Sequence, residues 1–294
     1  MTAPAATPHK AFSPARVSAI ASNTLLELVR LKVFYFLLLF ALLGIGASLL
    51  TVKMTFQEQF QVLKHMSLGA MSIFTWLLAV LATAMLLPKD IEDRTLYTIL
   101  AKPVPRFEYL LGKLVGVLAL LGIALGLMVV MFVIVLYWQQ QIALAENVRS
   151  LAPGPDLETA QQQVRAATFT ANLVPGIVII YMKAAVCAAL TLLLSTFASS
   201  SIFTIIVSVV VFIIGHVQPI AREYWLTEKG ASAIAKVFLA LVALIIPDLR
   251  AFDLLDDLSA AIPLAVFTQT AGLGALYITI YFFVGYFVFA GKEL

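Results

Sequence analysis

Charge is scarce in this chain. Of its 294 residues only 12% are charged, whereas 62% are hydrophobic and the mean hydropathy is +1.01. Soluble domains carry about 25% charged and roughly 45–50% apolar residues. Half that charge cannot cover a soluble body of this size, which excludes a soluble globular enzyme and a disordered chain. A formal net charge of +3 is too small for a nucleic-acid-binding domain. Cysteine is limited to Cys187, so neither an intrachain disulfide nor a thiolate metal cage can form. His9, His65 and His216 stand apart, without i,i+4 partners or carboxylates at metal spacing, and no metal site is expected. A phosphate-binding loop is also missing. It needs G-x-x-x-x-G-K-[ST] so that backbone N–H groups can cradle phosphate. Gly112-Lys113 is followed by Leu114 and Gly291-Lys292 by Glu293, and neither pair has the upstream glycine.

Long apolar runs are what the chain has instead. About 20 residues cross a bilayer core, and six runs approach that length: about 33–50, 68–87, 114–137, 176–197, 202–217 and 271–289. None contains Asp or Glu. The expected fold is therefore an all-α polytopic membrane protein with six transmembrane helices. Residues 1–32 lack the continuous apolar run and cleavage site of a signal peptide. Ser13-Pro14 reads as a helix start, and Val17, Ile20, Ala21, Thr24, Leu28 and Leu31 follow at helical spacing. Two readings of 14–32 stand: an interfacial helix, or an extension of the first span. Residues 237–246 and 260–267 are apolar but short, and Pro247 and Pro263 interrupt them. Such pieces suit re-entrant or interfacial helices before the last span. The alternative of two further spans conflicts with Arg250, Asp253, Asp256 and Asp257.

Six crossings put both ends on one side. With both ends inside, the early inner segments hold nine Lys/Arg against two in the first outer loop. By the positive-inside rule this favours N-in, C-in. Over all loops the split is ten against eight. Tyr137-Trp138 and Tyr224-Trp225 read as headgroup anchors on the outer side. The outer loop 138–173 is polar, and Pro153-Gly154-Pro155 turns the chain between two helical arms.

The inner loop 88–113 holds nine charges: Lys89, Asp90, Glu92, Asp93, Arg94, Lys102, Arg106, Glu108 and Lys113. Asp93-Arg94-Thr95 can cap a short helix over 96–101 with Leu96, Ile99 and Leu100 as apolar teeth. Pro103 and Pro105 end that helix, and Arg106 starts the next. A charged helix presented this way can dock in a groove of a soluble partner. The plainer reading is a solvated loop whose cations set topology.

The order Glu92, Thr95-Leu96, Leu100, Pro103, Arg106 and Gly112-Lys113 entering a span resembles the inner loop of ABC-2 type exporter permeases. The N-terminal amphipathic helix, the six spans, the long second outer loop and the broken region before the last span are similar to that family as well. Arg94 departs from it, standing where many relatives carry glycine. The resemblance implies one ABC-2 type transmembrane domain over 1–294. It comprises the interfacial helix 14–32, a cytoplasmic coupling loop 88–113, the outer loop 138–173 and an outer or re-entrant region 218–264. It implies a permease with no catalytic residues of its own, paired with a second permease copy and with two copies of a separate ATPase subunit that binds ATP and Mg²⁺. Glu92, Arg94, Thr95, Leu96, Leu100, Pro103, Arg106 and Lys113 would carry the ATPase coupling. The setting would be a bacterial inner membrane. Substrate identity is not encoded; the apolar span faces tolerate a lipidic or amphipathic cargo. An envelope protein could bind the outer regions.

Lys183 is the one charge inside a span, roughly 12 Å deep at 1.5 Å per residue. It is a substrate-path candidate, or it snorkels to the interface. Asp253, Asp256 and Asp257 read as caps and solubilising charges, His216 as an interfacial group, and Cys187 as packing. Gly44, Gly46, Gly272 and Gly274 permit close helix approach, without a clean G-x-x-x-G face. Two other functions remain on the sequence: an ATPase-linked, non-transporting mechanotransmission subunit, and a secondary transporter, which would be expected to carry intramembrane carboxylates.

Overall fold

A computed structural model describes residues 12–50, 56–92, 104–150, 153–198, 200–227, 246–253 and 263–291. The side chains of 50, 56–58, 91–92 and 220–227 are outside that description. Eight helices form among the described residues: α1 (Pro14–Val29), α2 (Lys32–Ala47), α3 (Phe56–Glu92), α4 (Arg106–Ser150), α5 (Pro155–Thr168), α6 (Leu173–Phe197), α7 (Ser201–Thr227) and α8 (Leu264–Gly291). No strand occurs among them. Five helices, α3, α4, α6, α7 and α8, contain stretches long and apolar enough to cross a membrane, and a sixth crossing follows if the bent pair α1–α2 counts as one span. The chain is an all-α, multi-pass integral membrane protein.

Helix α6 is the centre of the bundle. It packs against α3, α4, α7 and α8. Ala184, Ala185, Cys187, Ala188 and Ala189 are all buried along it. Small side chains let neighbouring backbones approach, which is how helices associate where lipid is as apolar as the side chains. The apolar faces of α2, α7 and α8 point outwards instead, exposing Phe36, Leu39, Phe203, Ile206, Leu276 and Phe287.

Several helices outrun the apolar runs that announced them. Helix α3 starts at Phe56, twelve residues ahead of the second run, and α4 continues from Arg106 to Ser150. At 1.5 Å per residue, α4 is about 67 Å long, twice the bilayer core. Gln139, Gln140 and Gln141 are good helix formers, so the start of the outer loop is a polar extension of α4. Helix α5 packs back against it. The two arms on either side of Pro153-Gly154-Pro155 are therefore helical, as expected.

Helix α1 ends at Val29, and α2 leaves at 68° after a two-residue break. Ser13 and Pro14 start α1 as the sequence indicates, but the Ser13 side chain makes no capping bond. The Ser13 amide instead donates to Glu108 Oε1 at 2.9 Å. Helix α1 lies along the first turns of α4, where Gly112 and Gly116 open a slot. A Cβ at Gly112 would stand 2.7 Å from Ile20 Cβ, and one at Gly116 2.7 Å from Thr24 Cβ and 2.8 Å from the Ala21 carbonyl oxygen. This Gly112-x-x-x-Gly116 pair is the small-residue face that the sequence reading did not find.

The segment 246–253 returns among the helices ahead of α8. The Leu249 amide donates to the Gly215 carbonyl at 3.2 Å, and Gly215 meets Pro247 and Leu249 closely. Phe252 is buried and sits over Gly274. Non-helical backbone within the bundle is satisfied by protein here, as membrane burial requires. The rest of the expected re-entrant region, 228–245 and 254–262, lies outside the described residues.

Candidate functional site

One cluster of charges lies at the end of the bundle where α4 begins. Both described termini lie there too. Phe12 meets Phe107 edge-on with centroids 6.3 Å apart, and Arg106 reaches the last carbonyls of α8. That arrangement fits six crossings, with the bent pair α1–α2 counted as one.

The first two turns of α4 organise this end. Successive residues on a helix point about 100° apart, so consecutive side chains can engage different neighbours. Arg106 Nη1 donates to the Ala290 carbonyl at 2.5 Å and to that of Phe289 at 3.3 Å, capping the C-terminus of α8. A guanidinium at a helix C-terminus satisfies orphan carbonyls and complements the helix dipole. Phe107 packs on Phe282 and Tyr286 of α8, with centroids 5.4 Å away in each case. Glu108 turns to α1. It accepts two bonds from Arg16, Nε to Oε2 at 2.5 Å and Nη2 to Oε1 at 2.7 Å, in addition to the Ser13 amide. Glu108 is 1% exposed against 30% for Arg16. Two parallel guanidinium–carboxylate bonds fix orientation as well as charge.

Tyr109 and Lys113 turn to α3. The Tyr109 hydroxyl donates to the Asp90 carboxylate, and its ring stacks on Phe289 at 5.9 Å. Lys113 Nζ lies 2.6 Å from Asp90 Oδ2, 3.7 Å from Glu27 Oε2 and 5.7 Å from the Tyr109 ring centroid. Both Lys113 and Asp90 are buried. At the rim Lys89 pairs with Glu27 at 2.9 Å. Each of these buried charges faces an opposite one; a lone charge buried there would be costly. Beside the cluster, between α1 and the ends of α3 and α4, opens a cavity of about 960 Å³.

Of the residues expected to couple to a partner, Arg106 and Lys113 are brought together here. Both are engaged within the chain. Arg94, Thr95, Leu96, Leu100 and Pro103 lie outside the described residues; Glu92 closes α3, without a described side chain. The sequence reading missed Arg16, Glu27, Asp90, Glu108 and Tyr109 as site residues. The usable signal was an acid in the first turn of α4, Glu108, and an arginine in the first turn of α1, Arg16.

A second polar cluster lies towards the opposite end. Lys183 does not snorkel to the surface. It is 5% exposed, and its Nζ bonds Asp253 Oδ1 at 2.5 Å. Asp253 is therefore a partner to a buried cation, not a solubilising charge. Its other oxygen lies 3.4 Å from His216 Nε2. His216 lies three residues before the end of the apolar span Ser201–Pro219 of α7, and its Nδ1 sits 2.9 Å from the Phe212 carbonyl. Burial pushes the Asp253 carboxyl up, but hydrogen bonds from His216 and Lys183, with their charges, hold it below its ordinary value. Asp256 and Asp257 lie outside the described residues.

No curated protein matches the chain. Residues 18–154 match the family described as ABC-2 family transporter protein. This stretch includes most of α1, all of α2 to α4, and with them the Gly112–Gly116 slot and the cluster of Lys113, Asp90 and Glu27. That match, together with the all-helical multi-pass fold, supports an ABC-2 type permease, the membrane component of an ABC transporter.

Proposed function

We propose that this chain is the transmembrane permease subunit of an ATP-driven exporter in a bacterial cytoplasmic membrane. Two permease copies work with two copies of a separate ATPase subunit, which binds the ATP and Mg²⁺. The observation that supports this reading is the way residues 106–113 are fastened. They follow directly on the charged segment 88–105, and their side chains grip α8, α1 and α3 in turn. Glu92, Arg94, Thr95, Leu96, Leu100 and Pro103 present the docking surface. Arg106 and Lys113 carry its displacement into the bundle. A push on that surface by a closing ATPase pair then moves three helices at once. The cargo in this reading is lipidic or amphipathic.

The test places spin labels at the exposed positions Leu26 of α1 and Phe287 of α8 in the permease–ATPase complex. ATP should change the distance between them, and Glu92→Lys should abolish that change while hydrolysis continues. Failure of an ATPase subunit to co-purify, or solute transport by the permease alone down an ion gradient, would overturn the reading.

One feature favours a second reading, an ATPase-linked subunit that transmits force and moves no solute. Helix α4 is unbroken from the charged end to the outer arm at Ser150, so it can carry displacement through the membrane. ATPase stimulation by an envelope protein, with no translocated solute, would select this reading over the exporter.

A further inference from the structure

The cluster around Lys183 lines a cavity of about 300 Å³ between α3, α6, α7 and the segment 246–253. That is the lower end of the range for ligand pockets, enough for a headgroup rather than a large cargo. Its polar lining is His65, Ser72, Lys183, His216 and Asp253; Ile73 and Phe212 supply apolar wall. Three nitrogen bases therefore face one carboxylate. Trp76, one turn along α3 from Ser72, stacks on Phe212 at 3.8 Å, and its buried Nε1 has no hydrogen-bond partner. Ser208, one turn along α7 from Phe212, has a buried hydroxyl in the same state. Neither lines the cavity, so the polar groups open to a ligand there are those of His65, Ser72, Lys183, His216 and Asp253.

Asp253 is not an integral part of a helix. It ends the short segment 246–253, and at 29% side-chain exposure it is the outer partner of a 6%-exposed lysine. Lys183 belongs to α6, the most enclosed helix. The cation is thus on an enclosed helix and the anion at the more exposed end of a non-helical segment. A cationic ligand would meet Lys183, His65 and His216; an anionic one would replace Asp253 on Lys183.

We infer that this cavity binds an anionic phosphate group, such as the headgroup of an amphiphile, on Lys183, and that the incoming anion displaces Asp253. Binding thereby frees the Asp253 carboxylate from Lys183, while buried Leu249 and Phe252 keep their segment seated. The site is independent of the ATPase-coupling reading, since both its formation and its occupancy involve the permease alone.

The test uses the full-length chain in nanodiscs holding equal phosphatidylglycerol and phosphatidylcholine, with retained lipid read by native mass spectrometry. Wild type should retain phosphatidylglycerol preferentially. Asp253→Asn removes the internal competitor and should raise that retention severalfold. Lys183→Met should lower it by about tenfold, as loss of a charge-assisted bond of about 1.4 kcal/mol gives. A purely structural ion pair gives no such opposite signs. Should either single variant fail to fold, the double variant Lys183→Met/Asp253→Asn leaves no unpaired charge and still lacks the binding cation. Equal retention by the double variant and wild type would overturn the inference, as would reduced retention in a folded Asp253→Asn variant. Inorganic phosphate added as competitor separates the sources. Displacement of lipid assigns the site to a soluble anion, and no displacement assigns it to a lipid headgroup; both uphold an anion site.

Discussion

Replacing Gly116 with alanine puts a methyl carbon 2.7 Å from Thr24 Cβ and 2.8 Å from the Ala21 carbonyl oxygen. Carbon atoms pack at about 3.5–4.0 Å, so α1 must back away by most of an ångström. The obstacle includes backbone, which no rotamer change relieves. Overpacking of this kind costs about 1–3 kcal/mol. Against it stands the gain in helix propensity, about 1 kcal/mol for glycine to alanine. Gly126 isolates the two effects. It lies on the same helix, and nothing stands within 4 Å of its added Cβ. Gly126→Ala should therefore raise thermal stability in detergent, whereas Gly116→Ala should lower it or leave it unchanged. The propensity gain cancels in the comparison, leaving the clash of about 1–3 kcal/mol. At about 2–4 °C per kcal/mol for large domains, the two melting temperatures should differ by several degrees. If Gly116→Ala melts as high as Gly126→Ala, then α1 is not seated in the Gly112–Gly116 slot, and its attachment to α4 falls with it.

Lys113→Met strips Asp90 of a buried partner and should cost about 3–5 kcal/mol, while Lys89→Met, at a rim pair 44% and 26% exposed, should cost under about 1 kcal/mol; paired thermal melts rank them. Arg106→Ala uncaps α8 and should cost about 0.5–1 kcal/mol. Proteolysis of the chain after Phe289 should quicken, and Arg106→Lys should restore part of the protection. For Asp253 the folded carboxyl is held below its ordinary value. Its contribution to stability is therefore complete above about pH 4, the unfolded value, and is lost as pH falls through the lower folded value. Hydrogen exchange at 249–252, corrected for intrinsic rate, should stay flat from pH 8 to 5; a rise in that window would refute the assignment.

The spans were legible because an apolar run has no other use in a chain this poor in charge. Their ends were not. Polar helix formers such as Gln139–Gln141 fit a loop or a helix equally well by composition, and only the packing of α5 on α4 decides between them. Likewise, the charges of the loop 88–113 were conspicuous, but not their partners. Glu108 and Arg16 are 92 residues apart and Lys183 and Asp253 are 70 apart, separations that no periodicity links. Gly112 stands out in the sequence as a failed phosphate loop and as the entry to a span, not as half of a packing face. Its neighbour four residues on was read as the interior of a span, so the slot they form went unseen. Single-sequence patterns report what each helix buries; they do not report which helix lies opposite.

The 68° break after α1 has a practical consequence. Helix α1 is held to α4 by the glycine slot and the Arg16–Glu108 fork, but joined to α2 by two residues only. The N-terminal helix is thus a passenger on α4. A fluorophore placed at Phe12 would serve as an external gauge of α4, reading motion in the interior of the membrane from a site any aqueous reagent can reach.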